Sequence, residues 1–180
     1  KVDISSAVEY MNVGAVKALG FKVSPAEATN KALAWSSTNP SVATVSEKGL
    51  LTAVSAGTCV ITCTAADGSG KYDTCTGKVK QPVTKLTISG SNTVDTGSSI
   101  TLTAQVAPTN ATNKKVSWSS SDTTIAKVDS NGKVTGVSAG KVVIKCTAND
   151  GSKVTASKTI TVNKKKVTGQ MIADYAESWV

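Results

Sequence analysis

Cys59, Cys63, Cys75 and Cys146 are the strongest nucleophiles and softest metal ligands in this 180-residue sequence. No two of them are spaced as Cys-x-x-Cys, so no zinc or dithiol motif is present. The chain contains no His, which removes Ser-His-Asp and Cys-His catalysis and every His-containing zinc site together. Paired carboxylates remain, as in glycoside hydrolysis, but such acids must converge on one cleft. Asp67, Asp73, Asp129 and Asp150 fall instead at the predicted turns of separate hairpins, positions Asp favours for backbone reasons alone. Calcium at Asp67 and Asp73 lacks the multi-carboxylate loop spacing such sites use. The expectation is a chain that is not an enzyme and takes no metal or cofactor.

Binding is the other kind of chemistry to weigh. Trp35 and Trp118 are of the type that stacks on sugars, yet they recur at equivalent places in a repeat, which points to core packing. Tyr72, near a hairpin tip, is the aromatic expected to contact a ligand. The formal charge is +8, and every basic residue is Lys. Without Arg there is no planar bidentate group for base readout, so no specific nucleic-acid partner is expected. Most lysines alternate along strand-like segments, as on the solvated face of a sheet, leaving cell-wall polymers or surface glycans as the partner class that positive charge suits. No apolar run reaches the roughly 18 residues needed to span a membrane. Oligomeric state is not written in the sequence.

The elements that would position these residues emerge from self-comparison. Trp118 stands 83 residues after Trp35, and the same offset relates Pro25 to Pro108, Gly49 to Gly132, Gly57 to Gly140, Cys63 to Cys146 and Asp67-Gly68 to Asp150-Gly151. Short alternating segments separated by turn residues fill each repeat, the pattern of a sandwich of about seven strands. Strands are predicted near residues 85–89, 99–107, 115–119, 125–129, 133–138, 141–148 and 153–162. Val142, Ile144, Cys146 and Ala148 should face inward, as should their counterparts Cys59, Ile61, Cys63 and Ala65. The predicted fold is all-β: two tandem immunoglobulin-like β-sandwiches over residues 1–81 and 82–163, then a linker and short C-terminal helix over 164–180. Thr168 caps that helix, and Met171, Ile172, Tyr175, Ala176 and Trp179 recur on one face. Any export signal would precede Lys1.

Trp35-Ser36-Ser37, Asn39-Pro40-Ser41-Val42-Ala43-Thr44-Val45, Gly49 and Ala53-Val54-Ser55-Ala56-Gly57-Thr58 resemble the group 2 bacterial immunoglobulin-like domain, as does the second copy from Trp118 to Gly140. The resemblance implies an exported protein: a surface or phage adhesin, a surface-layer component, or an extracellular hydrolase using such modules as spacers. Cys63 and Cys75 lie on neighbouring predicted strands, on one face by parity, and members of the family often carry Cys at both places. A Cys63–Cys75 disulfide is therefore expected; closing so short a loop is worth about 3 kcal/mol in the chain-entropy account. Cys59 and Cys146 would stay free. Residues 171–180 are similar to the first helix of the NlpC-type cell-wall cysteine peptidases. The expected role is a non-catalytic extracellular spacer or wall-targeting module, the N-terminal part of a secreted peptidoglycan hydrolase. An adhesin stalk or host-binding segment and a carbohydrate-binding module are the alternatives.

Overall fold

A computed structural model of the chain describes residues 1–166; the expected C-terminal helix and peptidase-like tail lie outside them. The chain divides between Pro82 and Val83 into two compact units. In the first, the strands are β1 (Val2–Ile4), β2 (Val8–Asn12), β3 (Val16–Ala18), β4 (Phe21–Val23), β5 (Leu33–Ser37), β6 (Ala43–Val45), β7 (Leu50–Ala53), β8 (Gly57–Ala65) and β9 (Tyr72–Lys80). The second holds β10 (Lys85–Ser89), β11 (Thr93–Asp95), β12 (Ser99–Thr101), β13 (Thr103–Ala107), β14 (Val116–Ser120), β15 (Ala126–Val128), β16 (Lys133–Gly136), β17 (Gly140–Ala148) and β18 (Thr155–Asn163). The described residues are all-β.

Each unit is a sandwich with the same connections. A four-stranded sheet, β2-β9-β8-β5, is accompanied by a three-stranded sheet, β3-β7-β6, and a two-stranded one, β1-β4; the second unit repeats this as β11-β18-β17-β14, β12-β16-β15 and β10-β13. Two short strands escape sequence reading. β11 is three residues long and pairs in parallel with β18, too short for alternation to register. The predicted strand over 99–107 splits at Leu102, 1% exposed, because β12 pairs with β16 and β13 with β10.

Alternation builds the cores. Cys59, Ile61 and Cys63 of β8 are buried while Thr58 and Val60 are exposed; Val142, Ile144, Cys146 and Ala148 of β17 are buried while Lys141, Val143 and Lys145 are exposed. Ala65 is only half-buried. Ile61 and Ile144 are fully inaccessible, and burying such a side chain contributes about 2–3 kcal/mol. The tryptophans pack against these cores from a half-buried position. Trp35 also meets Phe21 edge-on, with centroids 5.6 Å apart.

The Trp environment fixes what can stand at the β6–β7 and β15–β16 turns. Gly49 and Gly132 have φ of 72° and 79°, and an added Cβ would approach the indoles of Trp35 and Trp118 to 3.0 and 3.1 Å. Glycine is needed twice over there, for conformation and for space. Asp129 Oδ1 tightens the second of these turns by accepting from the backbone N–H of Asn131 at 2.8 Å and of Lys133 at 2.9 Å. In the first unit the Ser46 hydroxyl does the same for Lys48 and Leu50, at 3.3 and 3.1 Å.

All four cysteines are buried free thiols, which departs from the expected Cys63–Cys75 bond. Strand neighbourhood and facing were read as they are found, but not the register: Cys63 stands opposite Asp73, and Cys75 opposite Ile61. The two cysteines are thus diagonal neighbours. Diagonal Cα atoms on an antiparallel pair are about 7–8 Å apart, beyond the usual disulfide range of about 4.4–6.8 Å. Burial first, then the Asp73 carboxylate, pushes the Cys63 thiol up to about 11. Burial, then Glu9, Cys59 and Asp73, pushes Cys75 to about 11.

Two outcomes follow from these contacts. Gly132→Ala should cost the second unit about 2 kcal/mol or more, since strain at positive φ combines with clashes against the Leu102 backbone carbonyl and Trp118. Gly151→Ala, at φ 89° with nothing within 4 Å of the new Cβ, should cost about 1 kcal/mol. Urea denaturation compares them, and equal losses would contradict the close approach of Leu102 and Trp118 to Gly132. Thiol counting under denaturing, non-reducing conditions should find four reactive groups, two being the result that restores the bond. In the native chain, Cys63 and Cys75 should label slowly at neutral pH and speed up only as pH approaches 11.

Candidate functional site

Acid–base chemistry needs a carboxyl group whose affinity for a proton is raised beside one whose affinity is not. Asp67, Asp73 and Asp150 show the reverse. Asp67 is held below the usual carboxylate range by hydrogen bonds from the side chain and backbone of Ser69. Asp73 is lowered by the backbone N–H groups of Ile4, at 2.7 Å to Oδ2, and Thr74, at 2.8 Å to Oδ1. It lies on β9 rather than in the turn where the sequence pattern put it. At Asp150 burial works upward, but hydrogen bonds from Ser152 and from Val83, at 2.6 Å, outweigh it. These carboxylates are occupied in holding turns and first strands to the hairpins behind them. Among the described residues no three Cys, Asp or Glu side chains converge to hold a metal ion.

The cysteines offer no nucleophile either. Cys63, Cys75 and Cys146 are all raised, chiefly by burial, whereas a reactive thiol needs an exposed, electropositive setting. One charged pair does enter a core: Glu9, 5% exposed, accepts from Lys17 Nζ. Its equivalents in the second unit are Asn92 and Ile100, so the ion pair is a local solution rather than a requirement of the repeat.

What remains is surface. Tyr72, the ligand contact expected from sequence, begins β9 and is 65% exposed. It stands opposite Thr64. Trp35 and Trp118 are committed to the cores.

Sequence reading passed over a second exposed tyrosine. Tyr10 projects from the outer face of β2, 64% exposed. β2 runs parallel to β9 with Tyr10 opposite Lys78 and Asn12 opposite Lys80. Both ammonium groups lie over the Tyr10 ring, 5.6 and 5.9 Å from its centroid. The alternation Val8, Tyr10, Asn12 against Glu9, Met11 was available as a signal, but the partner strand was not, because parallel pairing across 68 residues leaves no local trace. At the offset of 83 residues, Thr93, Thr161 and Asn163 replace Tyr10, Lys78 and Lys80.

Comparison with known proteins agrees with this fold. The sequence matches the family described as bacterial Ig-like domain (group 2) over residues 1–75 and again over 82–162. An uncharacterized protein of Clostridium acetobutylicum is 29% identical over 157 residues, covering 87% of this chain and 16% of that protein. The Ig-like virion protein of Serratia phage KSP90 is 35% identical over 134 residues, covering 72% of this chain and 52% of that protein. Among solved structures, that of an EHEC O157:H7 intimin mutant aligns at 26% identity and a TM-score of 0.38, over 53% of this chain and 67% of that one. The chain spans only about half, or much less, of the length of these curated relatives. With each unit closed around its own core and each matched separately, the chain belongs to the bacterial Ig-like domain (group 2) family.

Proposed function

We propose that this chain is a non-catalytic extracellular module that spaces or targets a larger bacterial surface or secreted protein. One observation carries the reading: the aromatic, glycine and cysteine positions that the two repeats share, Trp35 and Trp118, Gly49 and Gly132, Cys63 and Cys146, are spent on cores and turns. The carboxylates they share, Asp67 and Asp150, accept backbone hydrogen bonds within their own turns. Function in this fold therefore belongs to whatever surface each copy presents. Membership of the bacterial Ig-like family supports an exported location, and no helix among the described residues is long and apolar enough to cross a membrane.

Within this reading, the polypeptide carrying the chain is a secreted peptidoglycan hydrolase whose cysteine peptidase domain follows Val180, with cell-wall polymers as the targeted surface. The likeness of residues 171–180 to the opening helix of such peptidases supports it. A second reading, an adhesin or host-binding segment, draws support from the identity with a virion protein.

Digestion of purified cell walls separates the possibilities. The present chain should release no peptide fragments, and turnover above a mock purification would overturn the non-catalytic assignment. A longer chain reading about 100 residues past Val180 should gain a Cys and a His and cut wall peptides. Continuation into further sandwich repeats would favour the adhesin reading and remove the hydrolase link.

A further inference from the structure

Tyr10, Lys78 and Lys80 form a cluster that the fold does not require. Their counterparts Thr93, Thr161 and Asn163 occupy the same strands, β11 and β18, in the same parallel register, and the second sandwich closes around its core without them. The second unit thus serves as an internal control for the first. An aromatic ring 64% exposed to water, on the solvent side of a sheet whose inner face is complete, adds nothing to that core.

The cluster is also chemically specific. The ring offers an apolar π-face, and two ammonium groups stand within 6 Å of its centroid. Cation–π contacts at exposed sites are worth only about 0.5–1 kcal/mol, so an incoming anion can draw the lysines away. Neither lysine has a carboxylate partner among the described residues, unlike Lys1 with Asp3 and Lys17 with Glu9. Exposed Val8 precedes Tyr10 on the same face of β2, and exposed Val60 stands across β9 from Val8, both opposite Thr76.

We infer that this face of the first unit is a binding site for an acidic polysaccharide built of carboxylated pyranose units. A pyranose ring presents a face of C–H groups that stacks on tyrosine once the lysines are drawn aside, and a carboxylate on that ring is what draws the two ammonium groups. A phosphodiester chain without sugar rings would use the lysines and leave Tyr10 idle. A neutral glycan would use Tyr10 and leave the lysines idle. A carboxylated sugar uses both, and it complements the net charge of +8. The site deepens the surface-module reading and rests on it, whereas a pure spacer would satisfy that reading and bind nothing.

Calorimetric or NMR titration of the whole chain with an oligogalacturonate, at low ionic strength, tests the assignment. One site per chain is expected. Tyr10→Ala should weaken binding about tenfold, the equivalent of one stacking contact, while Tyr10→Phe should retain it. Lys78→Ala with Lys80→Ala should weaken it at least as much and flatten its salt dependence. Tyr72→Ala should change nothing. Placing the cluster on the second unit, by Thr93→Tyr with Thr161→Lys and Asn163→Lys, should raise the stoichiometry to two. Three results would overturn the site: no binding of the oligogalacturonate by the wild-type chain, equal binding of a neutral galactose oligomer, or binding insensitive to Tyr10→Ala and matched by inorganic polyphosphate. The first would leave the spacer role intact. Cell-wall digestion by the chain would sink the wider reading separately.

Discussion

Register between β8 and β9, and between β17 and β18, is the constraint on which both sandwiches rest. Each pair is a nine-residue hairpin, and a side-chain period of two means that a slip by one residue would turn every inward group to solvent. In this register Ile61 stands opposite Cys75 and Val142 opposite Ile160, and the inward side chains of β8 and β17 are apolar. The other strands attach to this pair. β5 and β14 extend the sheet on one side, placing Trp35 opposite Cys63 and Trp118 opposite Cys146. β2 and β11 join in parallel on the other. The tryptophans then require glycine at the turns they lie against.

One scaffold accommodates different details at matched positions. In the first unit Gly77 leaves room for Cys59, whose Sγ would stand 2.9 Å from an added Cβ, and Lys17 reaches the buried Glu9. In the second, Ile160 fills the place of Gly77 beside Val142, and Ile100 replaces Lys17. Breaking a buried ion pair leaves an uncompensated charge, whereas replacing both partners by packed apolar groups is often neutral. The second unit has no ion pair at these positions: Asn92 is exposed and Ile100 is half-buried. Selection on such a pair of domains acts on volume and pattern in the core, leaving the outer faces free to differ.

Much of this was legible in the residues. The offset of Trp35 and Trp118 locates both units, and alternation in residues 141–148 alone names the buried face of β17. What was hidden involved pairing over long separations. Parity alone put Cys63 and Cys75 on one face but could not count the two-residue displacement between them. Leu102 sits inside an apparently continuous strand, and only the partners of its neighbours show that the chain changes sheets there. Tyr72 and Tyr10 look alike as isolated exposed aromatics. The lysines beside Tyr10 come from the far end of the unit, brought in by β9, so the more interesting tyrosine was indistinguishable without the fold.

If the two long hairpins are the frame of both units, native-state hydrogen exchange should show it directly. The slowest amides should be those of β8 with β9 and of β17 with β18, around Ile61 and Ile144, exchanging only through unfolding of their own unit. The short strands β1, β3, β10 and β12 should open first. Comparable protection in those short strands, or rapid exchange along either hairpin, would contradict the account.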